Sequence, residues 1–288
     1  MSTALAEVPA RSAPPRRPGR GPGALTSSTL NRGSALALGL AVTWFSVLVL
    51  IPLAAVVVTA AGGGWDAYVA TLTNPQTWAA IKLTVLTSVL VTGVNVVVGT
   101  VIAWVLVRDR FWGKRALDVV IDIPFALPTI VAGLVLLSLY GKGSPLGVDW
   151  ANTERAVFLA LAFVTLPFIV RTVQPVLEEL EHDVEEAASS LGANRVTVFR
   201  RIILPSLFPA IAAGAALSFA RAISEYGSLV LLSGNLPFRT EVVSVRVVSF
   251  IEGGNAAAAA SVASLMLAIA LVVIVVLDIV QRRVARRG

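Results

Sequence analysis

The chain has 288 residues, of which 56% are hydrophobic and only 14% charged, and its mean hydropathy is +0.83. Soluble domains average about 25% charged residues, so this composition excludes an ordinary soluble domain and predicts an all-α integral membrane protein. The chain has no cysteine, which excludes disulfides, thiolate metal sites and cysteine nucleophiles, and its net charge of +6 is informative through where the basic residues lie.

The N-terminal segment 1–33 carries arginines among proline, glycine, serine and alanine, and it cannot form a hydrophobic core. We interpret it as a disordered basic tail. The apolar run that follows, about 34–61, is longer than the 7–15-residue apolar region of a signal peptide. It therefore predicts the first transmembrane helix, and 34–78 comprises this helix and an outer loop.

Five further apolar segments can each supply the ~20 residues that cross ~30 Å of hydrocarbon. They are about 79–107, 119–140, 153–175, 206–232 and 257–279. The sequence therefore predicts six transmembrane helices. The third contains Pro124 and Pro128, and proline inside a span predicts a kink. The outer segments 62–78, 141–152 and 233–256 are rich in turn residues and predict loops, with room for a short surface helix.

Most of the 23 lysines and arginines lie on one side of this topology. They are found in the N-terminal tail, in 108–117, in 171–201 and in the C-terminal tail 282–288. Because cytoplasmic loops carry the excess of lysine and arginine, both termini are predicted to be cytoplasmic. The polar segment 176–205, between the fourth and fifth spans, then also faces the cytoplasm.

Segment 176–205 has apolar residues at helical spacing. They are Leu177, Leu180, Val184, Ala187, Ala188 and Leu191. The pattern predicts one amphipathic helix that stops at Gly192 in a left-handed conformation, followed by a second short helix capped by Asn194 and limited by Pro205. Two helices joined at a glycine in this way, here called the elbow (176–205), are suited to docking on a partner protein. An ordinary solvated loop helix is the alternative. The single histidine, His182, is interpreted as a solvated surface residue.

Charged residues inside the predicted spans are few. Arg221 and Glu225 lie at i, i+4 in the fifth and can pair, which lowers the cost of burying both in lipid. They form either a structural ion pair or, with Ser228, part of a translocation path for anions. Asp118 and Asp122 lie near the start of the third span, where we expect them to snorkel or to contact a loop.

No phosphate-binding loop is present, because neither Gly113-Lys114 nor Gly141-Lys142 is followed by serine or threonine. The chain is therefore not expected to be an enzyme, and an ATP-driven process would need a separate subunit. Charges deep in the membrane are confined to the fifth span, which argues against a proton-driven carrier and leaves a sodium-coupled one open.

Glu186-Ala187-Ala188, then Gly192, then Ile202-x-Leu204-Pro205 resembles the EAA motif of binding-protein-dependent ABC importer permeases. Other segments look like permeases of the sulfate/thiosulfate (CysT-type) family, with molybdate/tungstate permeases as the nearest rival. These segments include 122–129, 140–147, 163–168, 171–178, 220–228 and 233–241.

The resemblance implies a type I importer transmembrane domain over 79–281, in the bacterial cytoplasmic membrane. It implies four partners: a homologous second permease, two copies of a cytoplasmic ATPase, and an extracytoplasmic sulfate-binding protein. It also implies that the EAA residues couple the chain to the ATPase. No cofactor is expected in this chain, since ATP and magnesium would be bound by the ATPase.

Overall fold

The computed structural model describes residues 32–180 and 182–285, and the regular structure of those residues is entirely helical. The predicted tail 1–33 lies outside the described residues except for Arg32 and Gly33, as do residues 286–288. The first of two compact units ends at Ile51 and contains α1 (Arg32–Phe45) and a π turn (Ser46–Leu50).

The second unit begins at Pro52 and contains the remaining helices. In chain order they are α2 (Ile51–Gly62, which begins one residue before the boundary), α3 (Gly64–Thr73), α4 (Pro75–Arg108), α5 (Lys114–Ala126), α6 (Thr129–Tyr140), α7 (Glu154–Glu179), α8 (His182–Ser190), α9 (Arg195–Val198), α10 (Leu204–Ile223), α11 (Gly227–Leu232), α12 (Val243–Glu252) and α13 (Ala256–Ala285). A second π turn, Phe199–Ile203, joins α9 to α10.

Five stretches within the described residues are long and apolar enough to cross a membrane. They are Gly33–Gly62, Pro75–Arg108, Glu154–Glu179, Arg195–Ile223 and Ala256–Arg283. Even the 26-residue stretch is about 39 Å long at 1.5 Å per residue, which exceeds the thickness of the hydrocarbon core. Helices therefore lie where the first, second, fourth and sixth spans were predicted, with ends that differ by a few residues.

The third predicted span, 119–140, is not one helix. α5 and α6 meet at an angle of 117° across a short break. Leu127 has an extended backbone (φ −83°, ψ 135°), as expected before a proline, and Pro128 has no N–H to continue the ladder of hydrogen bonds. Pro124 is accommodated inside α5. The predicted kink is therefore a full break, and Pro128 causes it.

The fifth predicted span, 206–232, is displaced toward the N-terminus. The helix runs without interruption from Arg195 to Ile223, so the expectation that Pro205 would limit the preceding helix was wrong. In the π turn the Leu204 N–H donates to the Phe199 carbonyl, five positions earlier, and this wider turn accommodates Pro205, which has no N–H, within the continuous helix. Beyond Ile223 the chain leaves the helix and resumes as the short α11.

Helix α7 forms the centre of the second unit, and more than half of its most apolar stretch is buried. Ile169 of α7 lies between α4 and α10, each of which approaches it with a glycine. A Cβ atom at Gly99 would lie 2.8 Å from the Ile169 Cβ, and one at Gly214 would lie 3.3 Å from the Ile169 Cα. Small residues thus allow both helices to pack closely on α7, as is typical of membrane bundles.

The outer segments contain two helices, α3 and α12. The second is not confined to the surface, because Val243 and Val245 are buried. The Val243 N–H donates to the Thr84 Oγ1 of α4 at 2.9 Å. Segment 233–256, predicted as a loop with room for a short surface helix, therefore contributes to the core.

Candidate functional site

The polar segment 176–205 folds as a helical elbow, but its first half differs from the prediction. Leu177 is buried in the core as part of α7, which ends at Glu179. Leu180 is extended (φ −72°, ψ 115°), and α8 begins at His182. Val184 and Leu191 are exposed. The predicted single amphipathic stripe is thus divided between a buried part on α7 and an outward-facing part on α8.

The joint between the two helices of the elbow is the predicted left-handed glycine. Gly192 has φ +87°, and the next residue, Ala193, donates its N–H to the Ala188 carbonyl at 3.1 Å. The Asn194 Oδ1 then accepts the Thr197 N–H at 2.8 Å and caps α9. Nothing lies within 4 Å of a Cβ placed at Gly192, so the backbone conformation alone requires glycine here.

The residues of the EAA motif lie mostly at the surface. Glu186 and Ala187 are exposed, and Ala188 is half-buried against the core. None of residues 183–190 is buried. On the helix Arg195–Ile223 that follows α8, here called the return helix, Ile202 is half-buried, whereas Leu204 and Pro205 are exposed.

An exposed apolar surface accompanies the motif. Leu191 is 90% exposed, and Val184 and Val196, which precede and follow it within the segment, are also exposed. The apolar and acidic residues of α8 therefore remain available to a partner, since this part of the chain covers few of them itself.

One ion pair ties α8 to the transmembrane helix α4. The Arg108 Nη2 lies 2.5 Å from the Glu185 Oε1, and the Arg108 guanidinium also lies over the Trp104 ring. A cavity of about 620 Å³ lies beside this pair, between α4, α8 and the return helix. In the sequence, Arg108 is only one of the basic residues that indicate the cytoplasmic side of the membrane. Its pairing with Glu185, 77 positions away, has no signature in the sequence.

The three residues predicted for a translocation path come together at the end of α10. The Arg221 Nη2 lies 2.7 Å from the Glu225 Oε2. The other carboxylate oxygen of Glu225 accepts hydrogen bonds from the N–H and the Oγ of Ser228, both at 2.8 Å. The Glu225 side chain is 1% exposed and that of Arg221 is 28% exposed. The ion pair predicted from the sequence is confirmed, although Glu225 lies beyond the helix rather than on it.

This ion pair lies where two interrupted helices cross. A Cβ at Gly133 of α6 would lie 2.6 Å from the Ser228 carbonyl oxygen of α11. A Cβ at Gly227, the first residue of α11, would collide with the Oγ1 of Thr129, the first residue of α6. The break between α5 and α6 is thus packed against the break between α10 and α11.

Asp118 and Asp122 both pair with Arg171 of α7. The Arg171 Nη1 lies 2.7 Å from the Asp118 Oδ1, and its Nε and Nη2 bind both oxygens of Asp122 at 2.7 Å. Gln174 adds a further hydrogen bond to the same guanidinium at 2.7 Å. A bidentate arginine thus fixes α5 to α7, a contact that the sequence did not predict.

A family model described as binding-protein-dependent transport system inner membrane component matches residues 95–287. The sulfate transport system permease protein CysT of Salmonella typhimurium is 40% identical over 271 residues, which covers 92% of this chain and 98% of the relative. The protein of the same name from Synechocystis is 39% identical over 248 residues, covering 84% and 87% of the two chains. The predicted family resemblance is confirmed.

The fold is shared with a solved structure. A chain in the crystal structure of a bacterial ABC transporter involved in the import of alginate superposes with a TM-score of 0.73 at 17% identity, covering 86% of this chain and 94% of that one. The likeness confirms the predicted all-α importer fold. From the family match, the two relatives and the shared fold we conclude that this chain belongs to the family of binding-protein-dependent transport system inner membrane components, as a permease subunit of an ABC transporter.

Proposed function

We propose that the chain is the permease subunit of an ATP-driven importer of sulfate or thiosulfate. The single observation that carries the ATP-driven part is α8, an exposed helix with the EAA residues Glu186–Ala188, followed by a left-handed Gly192. The cargo is supported by curated relatives named as sulfate transport permeases, which align over nearly the whole chain.

The partners we propose follow from this function. The elbow docks on one of two cytoplasmic ATPase subunits, which bind ATP and magnesium; the chain pairs with a homologous permease, and a sulfate-binding protein delivers the anion from outside. The assembly lies in the bacterial cytoplasmic membrane, with both termini of this chain in the cytoplasm. The basic C-terminal residues Arg282 and Arg283 support that orientation.

The uninterrupted helix Arg195–Ile223 supplies the mechanical link. Its 29 residues extend about 44 Å from the elbow to the Arg221–Glu225 pair. When ATP closes the ATPase dimer, a displacement of the docked elbow moves this helix as one body. The other end of the helix then shifts against α6 and α11, which changes the side of the membrane from which the path is open.

Arg221 is the group that we propose to meet the anion in transit. Glu225, which accepts two hydrogen bonds from Ser228, pairs with Arg221 and neutralises most of the positive charge of the Arg221 guanidinium. An arginine without a counter-charge would bind a dianion too tightly to release it, whereas a paired and partly exposed one offers a weak site. Glu225 and Ser228 therefore position Arg221 and do not contact the cargo.

Reconstitution tests the proposal. The full complex in liposomes is expected to take up labelled sulfate only with ATP and the loaded binding protein. Uptake of molybdate or tungstate in preference to sulfate would contradict the proposed cargo. Movement of sulfate by the purified chain alone, without ATP, would indicate a secondary anion transporter instead.

A further inference from the structure

Three segments that are far apart in sequence meet at the end of α4. Arg108 is its last residue, Glu185 lies in α8, and Phe199 begins the π turn of the return helix. The side chains of Arg108 and Glu185 are only 11% and 21% exposed. Water therefore screens this pair much less than an ordinary surface pair.

Aromatic contacts fix the position of Arg108. Its guanidinium carbon lies 5.5 Å from the ring centroid of Trp104, one turn earlier on α4. Trp104 in turn packs edge-to-face on Phe199, with ring centroids 5.7 Å apart. The arginine is thus held between a carboxylate and an aromatic face, an arrangement with little freedom to reorient.

Helix α8 depends on few other contacts for its position. None of residues 183–190 is buried, so packing holds the helix only lightly. Its two ends are joints in the backbone, the extended Leu180 before it and the left-handed Gly192 after it. A displacement applied to α8 could be absorbed by rotation about these joints unless a side chain transmits it.

We propose that Arg108 is a positioning residue for energy coupling. Arg108 binds Glu185 and so holds α8 against α4. A movement of α8 driven by the ATPase is then transmitted to α4 as well as to α7 and the return helix, to which α8 is joined through the backbone. The inference rests on the proposed function, because it requires that an ATPase moves α8. We name Arg108, Glu185, Trp104 and Phe199 together the Arg108 clasp.

The first test replaces Arg108 by glutamine in the complete complex. We expect the ATPase to copurify in normal amount while sulfate uptake falls about tenfold, within the usual range of coupling between two sites. ATP hydrolysed per sulfate transported should rise by a similar factor. The matched control is Arg282→Gln, which breaks the exposed i, i+4 pair with Asp278 and should leave this ratio unchanged.

A charge exchange separates coupling from folding. Arg108→Glu and Glu185→Arg should each raise the ATP cost of transport, and the double variant should restore it at least in part. A normal ratio in Arg108→Gln, loss of the ATPase from that variant, or no recovery in the double variant would overturn the clasp. Failure of the unmodified complex to use ATP for uptake would instead contradict the proposed function.

Discussion

Glu225 shows how one buried carboxylate determines local structure. One of its oxygens binds Arg221, the other accepts two hydrogen bonds from Ser228, and its backbone carbonyl accepts the Ser244 hydroxyl at 2.6 Å. Burying a charge in a membrane is tolerated only with such compensation. These bonds stabilise the non-helical residues between α10 and α11, so the site of the ion pair and the break in the helix have one cause.

Gly192 is a residue whose backbone alone matters. A β-branched side chain at φ +87° is expected to cost about 1–2 kcal/mol or to shift the joint out of the left-handed region. We expect Gly192→Val to abolish sulfate uptake, because α8 would be presented at a different angle, while membrane insertion stays normal. Uptake assays together with membrane fractionation measure both effects.

The control for that variant is Gly93→Val. Gly93 lies within α4 at an ordinary helical conformation, and nothing lies within 4 Å of a Cβ placed there. This substitution should leave uptake unchanged. Normal uptake by Gly192→Val would count against the coupling role of the elbow.

Whole helices were predictable from the sequence to the extent that local chemistry defines their ends. Gly192 and Asn194 carry their own signals, a left-handed stop and a cap, and both are confirmed. The end of α10 at Ile223 carries no comparable cap signal, and apolar residues resume after Ser228 as far as Leu232. It depends on Glu225 and on the packing of α11 against α6, and contacts of that kind cannot be inferred from a window of hydropathy.

The crossing of α6 and α11 gives a prediction at this scale. Valine at Gly133 would collide with the backbone of Ser228, which cannot move without opening the two breaks. We expect Gly133→Val to lower the free energy of unfolding by about 1–3 kcal/mol, as overpacking usually does. Thermal unfolding in detergent measures the change. An unchanged Tm relative to Gly93→Val would show that the crossing is loose.

For the molecule as a whole, the sequence predicted the class of protein and most spans, because both follow from composition and segment length. The Arg108–Glu185 link and the Arg171 network were not predictable, since each joins residues at least 49 positions apart. The orientation in the membrane follows from the distribution of arginine and lysine and remains a prediction.

The absence of cysteine makes that orientation directly testable. Single cysteines can be introduced at Leu191 in the elbow and at Trp65 in α3, which are 90% and 75% exposed. A membrane-impermeant maleimide should label Leu191→Cys only in inside-out vesicles and Trp65→Cys only in intact cells or spheroplasts. Labelling of Leu191→Cys from outside would reverse the topology.

Because α8 is not buried in the helix bundle, specificity for the ATPase is separable from specificity for the transported anion. Because residues 183–190 add almost nothing to the core, their outward-facing positions can diverge without refolding the bundle, provided that Glu185 is kept. A chimera that exchanges these positions with those of another permease should therefore bind a different ATPase while it transports the same anion. If the proposed function holds, the residues that select the ATPase and those that meet the anion thus lie in separate parts of the chain.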